Sequence, residues 1–168
     1  MIGQITVRPR RPGDGAELAR AWLDAGRYYA ALAPNTFQVP DTEGLAEYMD
    51  RPAAVADEPD TRRLVAEFDR RVVGAAVGRI EVPFEYARYQ LQRQFAETRL
   101  VVDMVVVQEA YRGRGVGQRL MLALEEWARE RGATVSLLDT YPESALSLPF
   151  FTERMGYDRR SVRLWKRL

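Results

Sequence analysis

Hydrophobic and polar positions along the chain switch repeatedly between a period of two and a period near 3.6. Ile5–Val7 alternates and is β-branched, which predicts a short first strand. Asp14 is placed to cap a helix through Trp22 and Tyr29, with Leu18, Trp22 and Ala25 on one face and Pro34 closing it. Asp41 or Thr42 opens a second helix through Leu45, Tyr48 and Met49, ended by Pro52. Residues 53–61 carry Pro59 and three acids and read as a surface loop.

Leu64–Phe68 and Val72–Glu81 read as strands joined at Asp69-Arg70-Arg71, so the pair is expected to be an antiparallel hairpin. Gly74 and Gly78 weaken the second strand and mark a bulge or a close packing contact. Glu85 to Ala96 has room for a helical turn or two. Leu100–Val107 is nearly continuous apolar sequence, as expected of a strand covered on both faces, and Asp103 interrupts it. Gln118–Arg131 is the strongest helix, with Leu120, Met121, Leu124, Trp127 and Ala128 in one stripe and Gly132 at its stop. Thr134–Asp139 is the next strand. Ser144 caps a late helix through Phe151 and Met155 that ends at Gly156, with Pro149 kinking it or delaying its start. Ser161–Leu168 alternates again, placing Val162 and Leu164 on one face of a last strand.

This order predicts an α/β (mixed α+β) architecture: a central mixed twisted sheet of six to seven strands with helices on both faces. Residues 100–139 form a strand–helix–strand unit, expected to be a right-handed crossover between parallel strands.

Composition narrows the chemistry more than the fold. The 168 residues read as a single domain spanning 1–168, with 46% apolar residues, enough for a full core. Charge is nearly balanced at +1, so no global field draws nucleic acid or an acidic membrane. The basic run from Glu153 to Leu168 reads as a solvated face. There is no cysteine and no histidine. That removes thiolate metal sites, disulfides and the commonest general base, and no metal is expected. No secretory leader and no membrane-length apolar run is visible, so a cytoplasmic location is the expectation.

The segment that carries function is Val101 to Gln118. An apolar strand runs into Arg112-Gly113-Arg114-Gly115-Val116-Gly117, and a helix follows at once. Free N–H groups at a helix start, joined by glycines that let a ligand approach, suit a phosphate. The spacing differs from the dinucleotide-binding G-x-G-x-x-G, and no Lys-Ser/Thr of a P-loop follows.

Arg112-x-x-Gly115-x-Gly117, the strand and turn from Asp103 through Tyr111, and Phe150-Phe-Thr-Glu-Arg-Met-Gly-Tyr157 together resemble the GNAT family of N-acetyltransferases. The resemblance implies an acyl-CoA N-acyltransferase fold with acetyl-CoA as cosubstrate, wedged between two splayed strands, Leu100–Val107 and Thr134–Asp139. Val105, Val106 and Val107 would line the pantetheine arm, with backbone groups of Val105 and Val107 pairing to it. Amides of Arg112, Gly113, Arg114, Gly115, Val116, Gly117 and Gln118 would surround the pyrophosphate, as an anion nest reinforced by the helix dipole. The Arg112 and Arg114 side chains would add charge.

The resemblance further implies direct attack by an amine, without an acyl-enzyme, and the absence of Cys and His agrees. The Val105 N–H would polarise the thioester carbonyl. Asp103 is the candidate base, through a water; desolvation in an apolar strand would move it toward useful base strength. The alternative is that it pairs with an arginine or caps a neighbouring element. Where the family often carries a tyrosine as acid stands Thr152, leaving Tyr141, Tyr157 or solvent for that role. The family's Asn after the second splayed strand is also missing, and Ser144 is the nearest substitute.

The resemblance implies that the acceptor is a small-molecule amine or a protein amine. The resemblance places its pocket among the first two helices and the insert before the central strand, where Trp22, Tyr28, Tyr29, Phe37, Phe84, Tyr86 and Tyr89 stand with Asp24, Glu81 and Glu85. The Tyr86–Phe95 insert is equally suited to be a homodimer surface. The competing reading is a non-catalytic acyl-CoA-binding sensor or accessory protein of the same fold.

Overall fold

The computed structural model describes residues 4–55 and 58–166. Five strands form one sheet in the order β1-β2-β3-β4-β5. They are β1 Ile5–Pro9, β2 Thr61–Phe68, β3 Arg71–Glu81, β4 Arg99–Val107 and β5 Val135–Leu138. The first four are antiparallel neighbours, and β5 joins β4 in parallel. The helices are α1 Gly15–Leu32, α2 Leu45–Asp50, α3 Pro52–Val55, α4 Val116–Arg129 and α5 Ser147–Pro149. A π-helical turn over Phe150–Arg154 continues α5.

The helices cover both faces of the sheet. On one face α4 buries Val116, Leu120, Met121, Leu124, Trp127 and Ala128 against Ile5, Leu64, Ala66, Val73, Ala76, Leu100 and Val102. The stripe read from the sequence is the buried face of α4. On the other face α1 and α2 bury Leu18, Ala19, Ala21, Leu45 and Met49 against Val65, Val72, Ala75 and Val106. Gly74 and Gly78 permit the close approach of α4. A Cβ on Gly78 would lie 2.9 Å from Leu124 Cδ2, and one on Gly74 3.3 Å from Val116 Cγ1.

Several expectations are corrected. Among the described residues the sheet has five strands rather than six to seven. Residues 157–166, which include most of the alternating Ser161–Leu168 segment, have no regular structure, and positions 167–168 lie outside the described residues. Val162 and Leu164 are exposed there, so their alternation has no face to bury against. Residues 53–61 are not all loop, because Pro52–Val55 forms a helical turn; positions 56–57 lie outside the described residues. Asp14 stands at the start of α1 but does not cap it with its side chain. Its carboxylate is taken by the Arg8 guanidinium at 2.7 and 2.9 Å and by the Arg11 N–H at 2.9 Å. Gly44, not Asp41 or Thr42, precedes α2.

Candidate active site

The site is built where β4 parts from β5. The two strands pair only from Arg99↔Val135 to Val102↔Leu138. Beyond Val102 the β5 side of β4 is open. The parting coincides with a bulge: Val77 and Gly78 are consecutive on β3, yet their partners on β4 are Met104 and Val102. Asp103 is the extra residue, and an extra residue bends its strand and increases its twist.

Hydrogen-bond alternation decides which backbone groups face the opening. The Gln108 N–H donates to the Val73 carbonyl at 2.8 Å, so Val106 and Met104, in step with it, bond across to β3. Val105 and Val107 then turn their N–H and C=O groups toward the open side. The Val107 carbonyl is already engaged there by Arg112 Nε at 3.2 Å. The Arg112 guanidinium also lies 5.9 Å from the Tyr28 ring, reaching across the gap toward α1.

The loop between β4 and α4 follows. A 3-10 turn over Glu109–Tyr111 is anchored to α1 by the Asp24 carboxylate, which accepts the Glu109 N–H at 2.8 Å. Gly113 and Gly115 then take left-handed conformations at φ +74° and +85°, which side-chain-bearing residues adopt only with strain. Space for a Cβ is open at both. The first bond of α4 runs from the Arg119 N–H to the Gly115 carbonyl at 3.0 Å. The N–H groups of Val116, Gly117 and Gln118 precede it, and no side chain caps them. Gly117 packs closely on the late helix: a Cβ there would lie 3.3 Å from Phe150 Cζ.

These parts face one cleft of about 1050 Å³. Its walls include Asp103, Val105, Val106, Val107, Arg112, Gly113, Gly115, Val116, Gly117 and Gln118. Arg114 is the loop member whose side chain turns away, over the rings of Phe68 and Tyr111 at 5.7 and 5.5 Å. Trp22, Tyr28, Tyr29 and Phe37 reach the cleft, whereas Phe84, Tyr86 and Tyr89 stand exposed in the insert and do not line it.

Asp103 is not desolvated. Its side chain is more than a third exposed and pairs through Oδ1 with the Arg79 guanidinium on β3. That hydrogen bond holds the Arg79 pKa above its ordinary value, and burial only partly offsets it. Arg79 also contacts Glu81 at 3.2 Å, and Glu81 accepts from Arg99 at 3.0 Å. Of the three acids expected around the acceptor, Glu81 is thus tied into this chain of charges, Asp24 anchors the 3-10 turn, and Glu85 is exposed in the insert.

The candidate acids sit elsewhere. The Tyr157 hydroxyl bonds Ser136 Oγ at 2.6 Å and Glu125 Oε1 at 3.0 Å behind α4. Burial pushes its pKa well above the usual phenol value, and the neighbouring Glu125 adds to this. Thr152 Oγ1 donates to the Leu148 carbonyl at 2.9 Å. Tyr141 packs edge-on against Phe37. Ser144 is buried, accepts the Ser147 N–H at 3.0 Å and bonds the Tyr28 hydroxyl at 3.0 Å. It ties the start of α5 to α1, but Leu146, not Ser144, holds the N-cap position.

Sequence reasoning placed Tyr29 near the acceptor but missed its hydroxyl partners on the far wall, Ser147 and Thr140. Tyr29 donates to Ser147 Oγ at 3.0 Å, and Thr140 Oγ1 bonds the same Ser147 at 2.7 Å. Thr140, Ser147 and Tyr29 all line the cleft. Tyr29 and Ser147 lie 118 positions apart, and no local spacing announces their contact.

Among the described residues no helix is long and apolar enough to cross a membrane, and no group of three or more ligating side chains is placed to hold a metal. No curated protein matches the chain in sequence. Among solved structures, a Bacillus halodurans transcriptional regulator is similar at 19% identity and TM-score 0.72, covering 98% of this chain and 100% of that one. A Trypanosoma brucei acetyltransferase is similar at 22% identity and TM-score 0.60, with coverage of 98% and 100%. An aminoglycoside N-acetyltransferase in complex with CoA is similar at 17% identity and TM-score 0.58, with coverage of 99% and 95%. At these identities the likeness establishes the fold. The family is established independently: residues 27–157 match the acetyltransferase (GNAT) family model. That match runs from the Tyr28–Tyr29 wall to Tyr157 and contains the loop and both parted strands, so the chain belongs to the GNAT family of acetyltransferases.

Proposed function

We propose that the protein is an acetyl-CoA-dependent N-acetyltransferase that passes acetyl to a primary amine by direct attack. The observation that carries this is the row of uncapped N–H groups at the start of α4, opening onto the gap between β4 and β5. A diphosphate fits such a row, because the N–H groups and the helix dipole both favour negative charge. The open space above Gly113 and Gly115 lets it approach the backbone. The pantetheine arm would then lie along Val105 and Val107 as an added strand, displacing Arg112 Nε from the Val107 carbonyl.

With the thioester at the bulge, the Val105 N–H is the donor suited to polarise its carbonyl. The ammonium of the acceptor loses a proton to Asp103 through a water. Arg79 occupies Oδ1 of that carboxylate, and Oδ2 has no partner among the described residues. The amine nitrogen attacks and a C–N bond forms; the nitrogen gives up its second proton to solvent as the C–S bond breaks. The thiolate leaves and takes its proton from solvent, which a thiol pKa of about 8.5 permits without a protein acid. Tyr157 is not assigned that role, because its hydroxyl is sequestered behind α4.

The test is turnover of acetyl-CoA with a panel of primary amines, followed by release of free thiol. Thiol release that depends on the amine supports the enzyme. Coenzyme binding with no turnover across the panel would instead establish the sensor reading, since both readings predict that CoA stabilises the fold.

A further inference from the structure

We infer that Arg79 and Arg163 are specificity residues that make the cleft accept a monoamine with an apolar body and reject polycationic acceptors. The inference rests on the N-acetyltransferase reading above.

Among the described residues, three carboxylates line the cleft: Asp103, Asp139 and Glu153. Arg79 neutralises Asp103, and Arg163 neutralises Asp139. Glu153 alone has no ion-pair partner among the described residues. Arg79 is itself held in place, because its other nitrogen contacts Glu81, which Arg99 fixes from β4. Arg154 adds positive charge to the same walls.

A polycation gives up hydration at each charge and recovers it only where unpaired carboxylates wait for it. A wall that offers one such carboxylate beside several guanidiniums favours a single ammonium and opposes further ones. The rest of the wall on the α1 side is aromatic, which suits an apolar or aromatic body and a cation–π contact to one ammonium.

The test is steady-state acetylation of tyramine and other arylalkyl monoamines against spermidine and neamine, by the unmodified protein, Arg79→Gln and Arg163→Gln. The unmodified protein is expected to favour the monoamines in kcat/KM by about tenfold or more. Each variant frees one carboxylate and is expected to improve kcat/KM for spermidine, mainly through KM: about tenfold for Arg79→Gln, the equivalent of one partly screened charge pair, and about threefold for Arg163→Gln, whose pair is exposed. That gain should shrink as salt is raised, and loss of packing alone would not produce it. Arg163 is exposed and outside regular structure, so its variant keeps the test open should Arg79→Gln fold poorly. A preference of the unmodified protein for spermidine, or no gain in either folded variant, overturns the inference while leaving the transferase reading intact. Turnover of no amine at all overturns both.

Discussion

A single acid in an apolar run signals an interruption, but not its form. At Asp103 the interruption is a bulge, because two β3 residues face three on β4, and the acid is turned out to meet Arg79 rather than desolvated. No local pattern discloses that partner, since Arg79 is 24 positions away. The glycines were more legible. Gly113 and Gly115 need positive φ, a property of the residue type itself, and both take it. At this scale Asp103→Asn is expected to lower kcat by about 100-fold, the usual worth of a positioned base, with little change in the KM for acetyl-CoA. An unchanged kcat across pH would remove Asp103 as the base.

Elements with strong periodicity were readable, and those held by distant partners were not. The α4 stripe and the β2–β3 hairpin follow from sequence alone. The hairpin turn has Asp69 and Arg70 at φ +50° and +65°, two positive values in succession, the geometry in which Asn-Gly and Asp-Gly excel. Arg70→Gly should therefore stabilise the protein by about 1 kcal/mol, seen as a higher midpoint in urea at unchanged slope. A lower midpoint would mean that the Arg70 side chain contributes more than its backbone costs. The Ser161–Leu168 alternation fails as a strand signal for a different reason. Period two describes which face a strand would bury, and exposed Val162 and Leu164 have none to bury against. The late helix is a short α-turn over Ser147–Pro149 passing into a π-turn over Phe150–Arg154; Pro149 stands in its first turn, where the missing N–H breaks no ladder bond.

Across the whole molecule, the layers and the loop that faces the cleft were legible, while the ties between layers were not. One such tie joins the sheet edge to α1: Arg8 of β1 bonds Glu67 of β2 at 2.8 Å and Asp14 before α1 at 2.7 Å. Burial alone would raise the Asp14 pKa, but the bonds from Arg8 and from the Arg11 N–H outweigh it and lower the value below the ordinary carboxylate range. A carboxylate depressed in the folded state stabilises it above its unfolded pKa, near about 4, and loses that contribution as pH falls through the folded value. Asp14→Asn should thus lower Tm at neutral pH and flatten the fall in Tm below about pH 4. A variant whose Tm falls in parallel with that of the unmodified protein would remove Asp14 from the acid response.

The grip of the α4 start on a diphosphate is the claim on which the transferase reading depends. Its most direct test is to map backbone amide chemical shifts while CoA is added. The largest changes are expected at Gly113 through Gln118, with a second set at Val105 and Val107 on the open side of β4. Shifts confined to another surface, such as the β1–β2 edge, or none with CoA in excess, would contradict the account.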